Sequence, residues 1–178
     1  MNDISAFELP AALADVHVVM MCGVSGAGKT YMARKLETAG FERLSADRLV
    51  WDKYGESYSS LPADSRSRIY MTAMKSLTDS LPEKIAEGKR VVMDSSFCKR
   101  GRRDAVARLC REAGVNCLIL YLDVPAPLLR RRLAMREGAG PDDQRIPEED
   151  LVRFLQNFEP PAPDERYITL TPETNESD

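Results

Sequence analysis

The sequence has few of the residues on which several kinds of protein depend. It contains one histidine, His17, and four cysteines with no CxxC spacing: Cys22, Cys98, Cys110 and Cys117. A zinc site or a disulfide framework is therefore not expected. No apolar run approaches the roughly 18 residues that cross a bilayer, and the acidic amino terminus MNDISAFELP lacks the basic segment of a secretory signal. These absences predict a cytoplasmic location and no membrane partner.

The chain also lacks a strong excess of charge of either sign. Its formal net charge is −3, with 43% hydrophobic and 30% charged residues, as in ordinary globular proteins. Such a balance provides no overall attraction to nucleic acid, although a local basic patch can still exist. With 178 residues, we expect a single domain over residues 1–170 and a disordered acidic tail at 171–178. The composition does not predict an oligomeric state.

Short apolar runs alternate with helical patterns along the chain. Residues 16–22 form a continuous apolar run before a glycine-rich segment, as in a strand buried on both faces of a parallel sheet. Further strands are predicted at Phe41–Ser45, Arg90–Asp94, residues 115–123 and Tyr167–Leu170. Helices are predicted at residues 29–39, at Ala46–Tyr54, at 69–87 with a break near Pro82, at 106–113, at 125–137 and at 147–158. This alternation indicates a three-layer α/β domain with parallel strands.

The segment GVSGAGKT matches the phosphate-binding pattern G-x-x-x-x-G-K-[ST] in full. It lies between a predicted strand and a predicted helix, where backbone N–H groups converge on a phosphate. We expect Lys29 to reach the β- and γ-phosphates of ATP and the Thr30 hydroxyl to face Mg²⁺. The predicted nucleotide-binding residues are Gly23, Ser25, Gly26, Ala27, Gly28, Lys29 and Thr30. The alternative is a glycine-rich turn with a solvated lysine.

Two aspartates follow predicted strands at the edge of the sheet where open α/β folds bind ligands. Asp94 ends the apolar strand VVMD, which predicts a second Mg²⁺ ligand beside Thr30; the alternative is a cap of the next turn. Asp47 follows the strand at Phe41–Ser45 and can accept a proton from an attacking hydroxyl. Its alternative is a charge favoured at the start of a helix.

Arginines are concentrated in two segments. Arg132 and Arg136 are helical neighbours in the first segment, which also contains Arg130 and Arg131, and Arg145 lies in the polar loop 138–146 that follows. Arginines on such a loop can close over ATP and stabilise charge in the transition state. The second segment is a basic cluster after the third strand, which either contacts an anionic acceptor or is a solvated helix start. Its members are Lys99, Arg100, Arg102 and Arg103.

With these segments in view, the chain resembles the P-loop kinases related to zeta toxins, polynucleotide 5′-kinases and chloramphenicol phosphotransferase. The resemblance covers roughly residues 16–170 and includes GVSGAGKT, RLSADRL, VVMDSS, LILYLDVPAPLLRRRLAMRE and RIPEEDLVRFLQNFEPPAPDE. It implies a P-loop NTPase fold with a parallel sheet in the order 2-3-1-4-5 and a small helical lid. It also implies Asp47 as the general base, with Arg132, Arg136 and Arg145 on the lid.

The chain departs from polynucleotide kinases at two positions. Those kinases tend to have an arginine three residues after the aspartate that acts as general base, and this chain has Val50 at that position. After the third strand they often read Asp-x-Thr-Asn, whereas Ser96 and Phe97 follow here, which suggests a less polar acceptor site.

Together these observations predict an ATP- and Mg²⁺-dependent phosphotransferase acting on a hydroxyl of a small molecule. A polynucleotide 5′-hydroxyl kinase is the first alternative. A nucleotide-binding switch or ATPase without its own acceptor is the second. The identity of the acceptor is not predicted.

Overall fold

In a computed structural model, the chain forms a five-stranded sheet with helices on both faces. The structure describes residues 11–171, so all of the predicted acidic tail except Thr171 lies outside the described part. The strands are β1 (Val18–Cys22), β2 (Phe41–Ser45), β3 (Arg90–Asp94), β4 (Cys117–Leu122) and β5 (Tyr167–Leu170). Their order is β2-β3-β1-β4-β5 and every neighbouring pair is parallel. The predicted order 2-3-1-4-5 is confirmed.

Within residues 11–171, six α-helices connect and cover these strands. They are α1 (Lys29–Thr38), α2 (Ala46–Tyr54), α3 (Ala63–Ala86), α4 (Arg100–Glu112), α5 (Ala126–Ala134) and α6 (Glu148–Asn157). Short 3₁₀ helices occur at Gly55–Ser60, directly after α2, and at Pro141–Asp143, inside the polar loop between α5 and α6. Within residues 11–171, no helix combines the length and the apolar character needed to span a membrane.

The central strand β1 divides the interior into two cores. All five of its residues are buried. Val19 and Met21 belong to a core shared with α1, α5 and α6, whereas Val18 and Met20 belong to a core shared with α2, α3 and α4. Side chains alternate between the two faces of a strand, so a continuous apolar run suits a strand covered on both sides.

Helix α3 continues through Pro82, where the sequence analysis expected a break. Leu77 and Leu81 before the proline are buried in the second core, and Ile85 after it packs against the same core. A proline inside a helix costs about 3 kcal/mol or more, whereas each fully buried leucine contributes about 1.5–3 kcal/mol. Packing on both sides of Pro82 offsets the local preference, so the expected break was wrong.

Candidate active site

The carboxyl ends of β1, β2 and β3 lie side by side and bring the predicted site residues together. The phosphate-binding loop follows β1, and Asp94 is the last residue of β3. The register of β2 and β3 places Ser45 opposite Asp94, and Asp47 lies two residues after Ser45 in the first turn of α2. Gly23 and Asp94, which are 71 positions apart in the sequence, therefore share one edge of the sheet.

The loop between β1 and α1 requires glycine for two reasons: its backbone has positive φ angles, and neighbouring atoms leave little room for a Cβ. Gly23, Gly26 and Gly28 have φ angles of 151°, 87° and 99°, values that side chains disfavour. A Cβ on Gly26 would lie 3.1 Å from Leu133 Cγ and 3.3 Å from the Leu129 carbonyl oxygen. The loop can therefore pack closely against α5. Its backbone leads directly into the amino terminus of α1, where unpaired N–H groups favour an anion.

Lys29 and Thr30, the first residues of α1, face the site. Lys29 Nζ donates a hydrogen bond to the Val24 carbonyl at 3.0 Å. Burial lowers the pKa of Lys29, and the carboxylates of Asp47 and Asp94 oppose that shift. Thr30 Oγ1 donates to Asp94 Oδ1 at 3.4 Å. The hydroxyl and the carboxylate predicted as metal ligands are therefore in direct contact.

Arg43, which the sequence analysis did not select, neutralises Asp94. Its Nε donates to Asp94 Oδ2 at 2.8 Å, and its Nη2 lies 2.6 Å from the same oxygen. The same Nη2 contacts Asp142 Oδ1 in the polar loop at 2.8 Å, and Arg34 of α1 contacts the other Asp142 oxygen. Burial raises the pKa of Asp94, and the Arg43 guanidinium opposes the rise. The sequence contains one signal for this role of Arg43, because a charged residue in the middle of the short strand FERLS needs a partner.

Asp47 lies in the first turn of α2, which begins after Ser45. Ser45 Oγ accepts a hydrogen bond from the Arg48 N–H at 3.2 Å, as a helix cap does. Burial and the negative charge of Asp94 raise the pKa of Asp47 from 3.8 to about 6, against the opposing charges of Lys29 and Arg136. The group is therefore ionised at neutral pH and more basic than an exposed aspartate, which suits proton transfer.

The three arginines predicted for the lid take different positions. Arg132 Nη1 donates to the carbonyls of Gly26 and Ala27, both at 3.2 Å, while its Nε is buried and has no hydrogen-bond partner within residues 11–171. Arg136 Nη1 donates to the Gln144 carbonyl at 3.0 Å. Arg145 is exposed and packs over Gly138. The structure thus brings Arg132 to the phosphate-binding loop and Arg136 near Asp47, and leaves Arg145 at the outer side of the polar loop.

The basic cluster after β3 anchors a loop. Three members form ion pairs with acids of residues 159–165: Lys99 with Glu159, Arg100 with Asp164 and Arg103 with Glu165. The side chain of Arg103 is only 1% exposed and also donates to the carbonyls of Phe97 and Glu159 at 2.8 Å. Arg102 contacts Met71. Because these charges are largely engaged within the fold, the cluster offers little to an anionic acceptor.

A cleft of 220 Å³ separates the end of α2 and its 3₁₀ extension from the polar loop. Its lining residues are Trp51, Gly55, Glu56, Ser59, Glu137, Gly138, Gln144 and Arg145. Phe97, which suggested a less polar acceptor site, is instead fully buried in the second core. Neither Ser96 nor Phe97 lines the cleft, so the polarity of the acceptor site stays a prediction.

The fold and site define a P-loop kinase-like protein: a parallel sheet in the order 2-3-1-4-5, a G-x-x-x-x-G-K-T loop at its carboxyl edge, and arginines beside that loop. The chain belongs to the AAA_33 family of AAA domains, whose model matches residues 18–161. No curated protein sequence matches the chain significantly.

Solved structures with the same fold include small-molecule kinases. A sugar kinase from Janibacter sp. HTCC2649 is 26% identical, with a TM-score of 0.66 over 88% of this chain and 85% of that chain. A gluconokinase from Sinorhizobium meliloti 1021 is 22% identical, with a TM-score of 0.59 over 88% and 83%. The Mycobacterium tuberculosis APS kinase CysC, in complex with AMPPNP and APS, is 17% identical, with a TM-score of 0.57 over 89% and 90%. The more specific resemblance to zeta toxins and chloramphenicol phosphotransferase stays a prediction.

Proposed function

We propose that this protein is an ATP- and Mg²⁺-dependent phosphotransferase that moves the γ-phosphate of ATP to a hydroxyl of a small molecule. The observation that carries the proposal is the position of Asp47, a carboxylate of raised pKa beside Lys29 and Asp94. Nucleotide binding alone requires cations and a metal ligand, whereas an attacking hydroxyl also requires a base. The small-molecule kinases among the structural neighbours, one of them bound to AMPPNP, support the same reaction.

Cationic side chains around the loop have neutral hydrogen-bond partners, which favours phosphate binding. Lys29, Arg132 and Arg136 donate to main-chain carbonyls. A phosphate oxygen carries a negative charge that a carbonyl lacks, so these cations interact more strongly with a phosphate than with their present partners. The buried Nε of Arg132 provides one further donor. We therefore propose that these three residues bind the phosphates of ATP and stabilise the charge that develops during transfer.

The oxygen atoms of Thr30 and Asp94 fit a Mg²⁺ ion that is shared with a nucleotide. Mg²⁺ is typically held by one or two carboxylates together with substrate phosphates. A larger ligand cluster is unnecessary, and residues 11–171 contain no group of three or more His, Cys, Asp or Glu side chains suited to a metal. A Mg²⁺ ion held by these two side chains would neutralise negative charge on the phosphates of ATP.

Asp47 then acts on the acceptor. Its carboxylate takes the proton of the acceptor hydroxyl as the hydroxyl oxygen forms a bond to the γ-phosphorus. The bond from that phosphorus to the β–γ bridging oxygen breaks, and ADP leaves with the electron pair. The products are ADP and a phosphate ester of the acceptor, and the proton remains on Asp47 until it passes to solvent.

The two alternatives make different demands on the site. A polynucleotide kinase needs a surface for the nucleic-acid backbone, but the basic cluster is engaged with acids of residues 159–165. A switch or ATPase without an acceptor would use Asp47 on water instead, so the dependence of ATP consumption on an acceptor distinguishes it from a phosphotransferase.

An ATP-consumption screen tests the proposal. The acceptors are sugars and other hydroxylated metabolites, antibiotics, nucleosides and 5′-OH oligonucleotides, each assayed with the parent and with Asp47→Asn. Asp52→Asn is the matched control, because Asp52 is an exposed acid of the same helix that pairs with Arg48. We expect one small-molecule class to yield equal amounts of ADP and phosphorylated acceptor with the parent and with Asp52→Asn only. ATP hydrolysis that no acceptor stimulates would instead support the switch.

A further inference from the structure

Each wall of the cleft beside the polar loop contains a residue that is related to Asp47, by position on the same helix or through a hydrogen bond to Arg136. On one wall, Trp51 follows Asp47 by one turn of α2. On the other wall, the carbonyl of Gln144 accepts a hydrogen bond from Arg136, whose charge acts on Asp47. The cleft therefore shares α2 with the proposed base and shares the polar loop with the hydrogen-bond partner of Arg136, and residues 23–30 contribute none of its lining.

The charges that line the cleft select against polyanions. Glu56 and Glu137 contribute two carboxylates and Arg145 contributes one cation, which leaves a formal excess of one negative charge. The phosphate-binding loop, in contrast, is surrounded by Lys29 and Arg132. A phosphate or sulfate group on the acceptor would meet the carboxylates, and like charges at close range disfavour binding. Ionised carboxylates only accept hydrogen bonds, so hydroxyl groups are their natural partners.

The size and aromatic content of the cleft point to a single small ring or chain. Its 220 Å³ is below the roughly 300–1,000 Å³ of pockets for drug-sized ligands. Trp51 is partly buried and provides a flat, rigid apolar surface with one polar edge. The Ser59 hydroxyl donates to the Glu56 carbonyl and retains its capacity as an acceptor, and the Gln144 amide, whose nitrogen donates once to the Pro141 carbonyl, retains a donor and an acceptor. An apolar face surrounded by hydrogen-bonding groups matches a molecule with C–H bonds on one side and hydroxyls at its rim.

We infer that this cleft binds the phosphate acceptor, and that the acceptor is a sugar-sized polyhydroxylated molecule without phosphate or sulfate. A single carboxylate on it is compatible with Arg145. The inference rests on the proposed function for the fate of the hydroxyl, because Asp47 must receive its proton. The binding step itself is measurable without any transfer.

Trp51 is the only tryptophan of the chain, so its fluorescence reports on the cleft directly. We would titrate the protein with glucose, gluconate, ribose and myo-inositol, and with glucose 6-phosphate and ribose 5-phosphate as phosphorylated counterparts. At least one of the four polyols is expected to shift the emission saturably, while the phosphorylated compounds neither shift it nor compete. If none of the polyols shifts the emission, or if a phosphorylated compound binds as tightly, the inference is overturned.

Variants of the exposed acids test the assignment of the residues. Glu56→Gln and Glu137→Gln should each weaken polyol binding roughly tenfold, because each replaces a hydrogen bond to a charged acceptor by one to a neutral acceptor. Glu112→Gln, an exposed acid on the remote helix α4, is the matched control and should bind like the parent. In transfer assays, Trp51→Ala should raise the acceptor KM and leave the KM for ATP unchanged, and Trp51→Phe should restore most of the loss. Unchanged polyol affinity in both glutamate variants would show that the cleft is not the binding site.

Transfer assays separate this inference from the proposed function. Transfer to a phosphorylated, sulfated or oligonucleotide acceptor, without polyol binding, overturns the inference and leaves the phosphotransferase standing. Saturable polyol binding without transfer to any acceptor supports the ligand class of the cleft and contradicts the proposed function. Binding followed by transfer to the same polyol supports both.

Discussion

The Asp47→Asn substitution is expected to stabilise the protein at neutral pH while it removes phosphoryl transfer. Burial and the charge of Asp94 raise the pKa of Asp47 from 3.8 to about 6. A carboxyl whose pKa is higher in the folded chain than in the unfolded chain stabilises the fold while it is protonated. That contribution is complete below about pH 4 and is lost as the pH rises through about 6. Asparagine keeps the shape of the side chain and carries no charge.

The magnitude follows from the rise in the pKa. About two pH units at about 1.4 kcal/mol each correspond to about 3 kcal/mol at neutral pH. An acid in the first turn of α2 interacts favourably with the helix dipole, and asparagine forgoes about 0.3–1 kcal/mol of that interaction. The net gain is about 2 kcal/mol. For a chain of this length it corresponds to a rise of about 4–8 °C in Tm.

Thermal unfolding of the parent and the variant between pH 5 and pH 8 measures this difference. Asp47→Asn should be more stable at pH 8, and the gap should shrink as the pH falls below 6, while the exposed control Asp52→Asn shows no such pattern. Transfer by Asp47→Asn should drop by about 10²–10⁴-fold. A variant less stable than the parent at pH 8 would mean that Asp47 is only a favourable helix-start charge. Parental transfer rates in Asp47→Asn would show that Asp47 is not the general base.

Three further predictions concern the phosphate, the metal and the rival acceptor. Lys29→Ala should nearly abolish transfer with the fold intact, because it removes a charge directed at the phosphates; turnover equal to that of the parent would contradict the phosphate-binding assignment. Thr30→Ala should raise the Mg²⁺ concentration that gives half-maximal activity, and an unchanged Mg²⁺ titration would show that Thr30 does not face the ion. A 5′-OH oligonucleotide should show no tight binding, because Lys99, Arg100 and Arg103 are engaged in ion pairs. A tight complex that weakens steeply with salt would favour the polynucleotide kinase.

Local sequence patterns were sufficient for the elements that carry the site. The bounds of β2, α2, β3 and β5 agree with the expectation, because each element coincides with a local apolar pattern or follows a clear signal, such as the capping Ser45 before α2. The pattern G-x-x-x-x-G-K-[ST] was sufficient to predict the phosphate-binding loop, and the predicted end of β3 was sufficient to place Asp94 at the edge of the sheet. The order of the strands came from the family resemblance, since periodicity alone does not determine which strands are neighbours.

Contacts between distant segments could not be read from local patterns. Arg43 meets Asp94 across 51 residues and Asp142 across 99, and no property of the strand FERLS specifies either partner. Arg103 resembles a solvated charge at a helix start, yet its side chain is 1% exposed because acids and carbonyls of residues 159–165 surround it. The uninterrupted helix through Pro82 has the same cause, because tertiary packing outweighs a local preference.

Arg43 also accounts for the different surroundings of the two acids of the site. Asp94 accepts hydrogen bonds from Arg43 and Thr30, so its oxygens are held in place by a cation and a hydroxyl. No hydrogen bond to the Asp47 carboxylate forms within residues 11–171, and Lys29 and Arg136 act on it only through their charge. A carboxylate fixed by donors is suited to hold a metal, whereas one without donors retains its lone pairs for a proton. The sheet edge thus contains two carboxylates suited to different tasks, and the guanidinium that distinguishes them also contacts Asp142 of the polar loop.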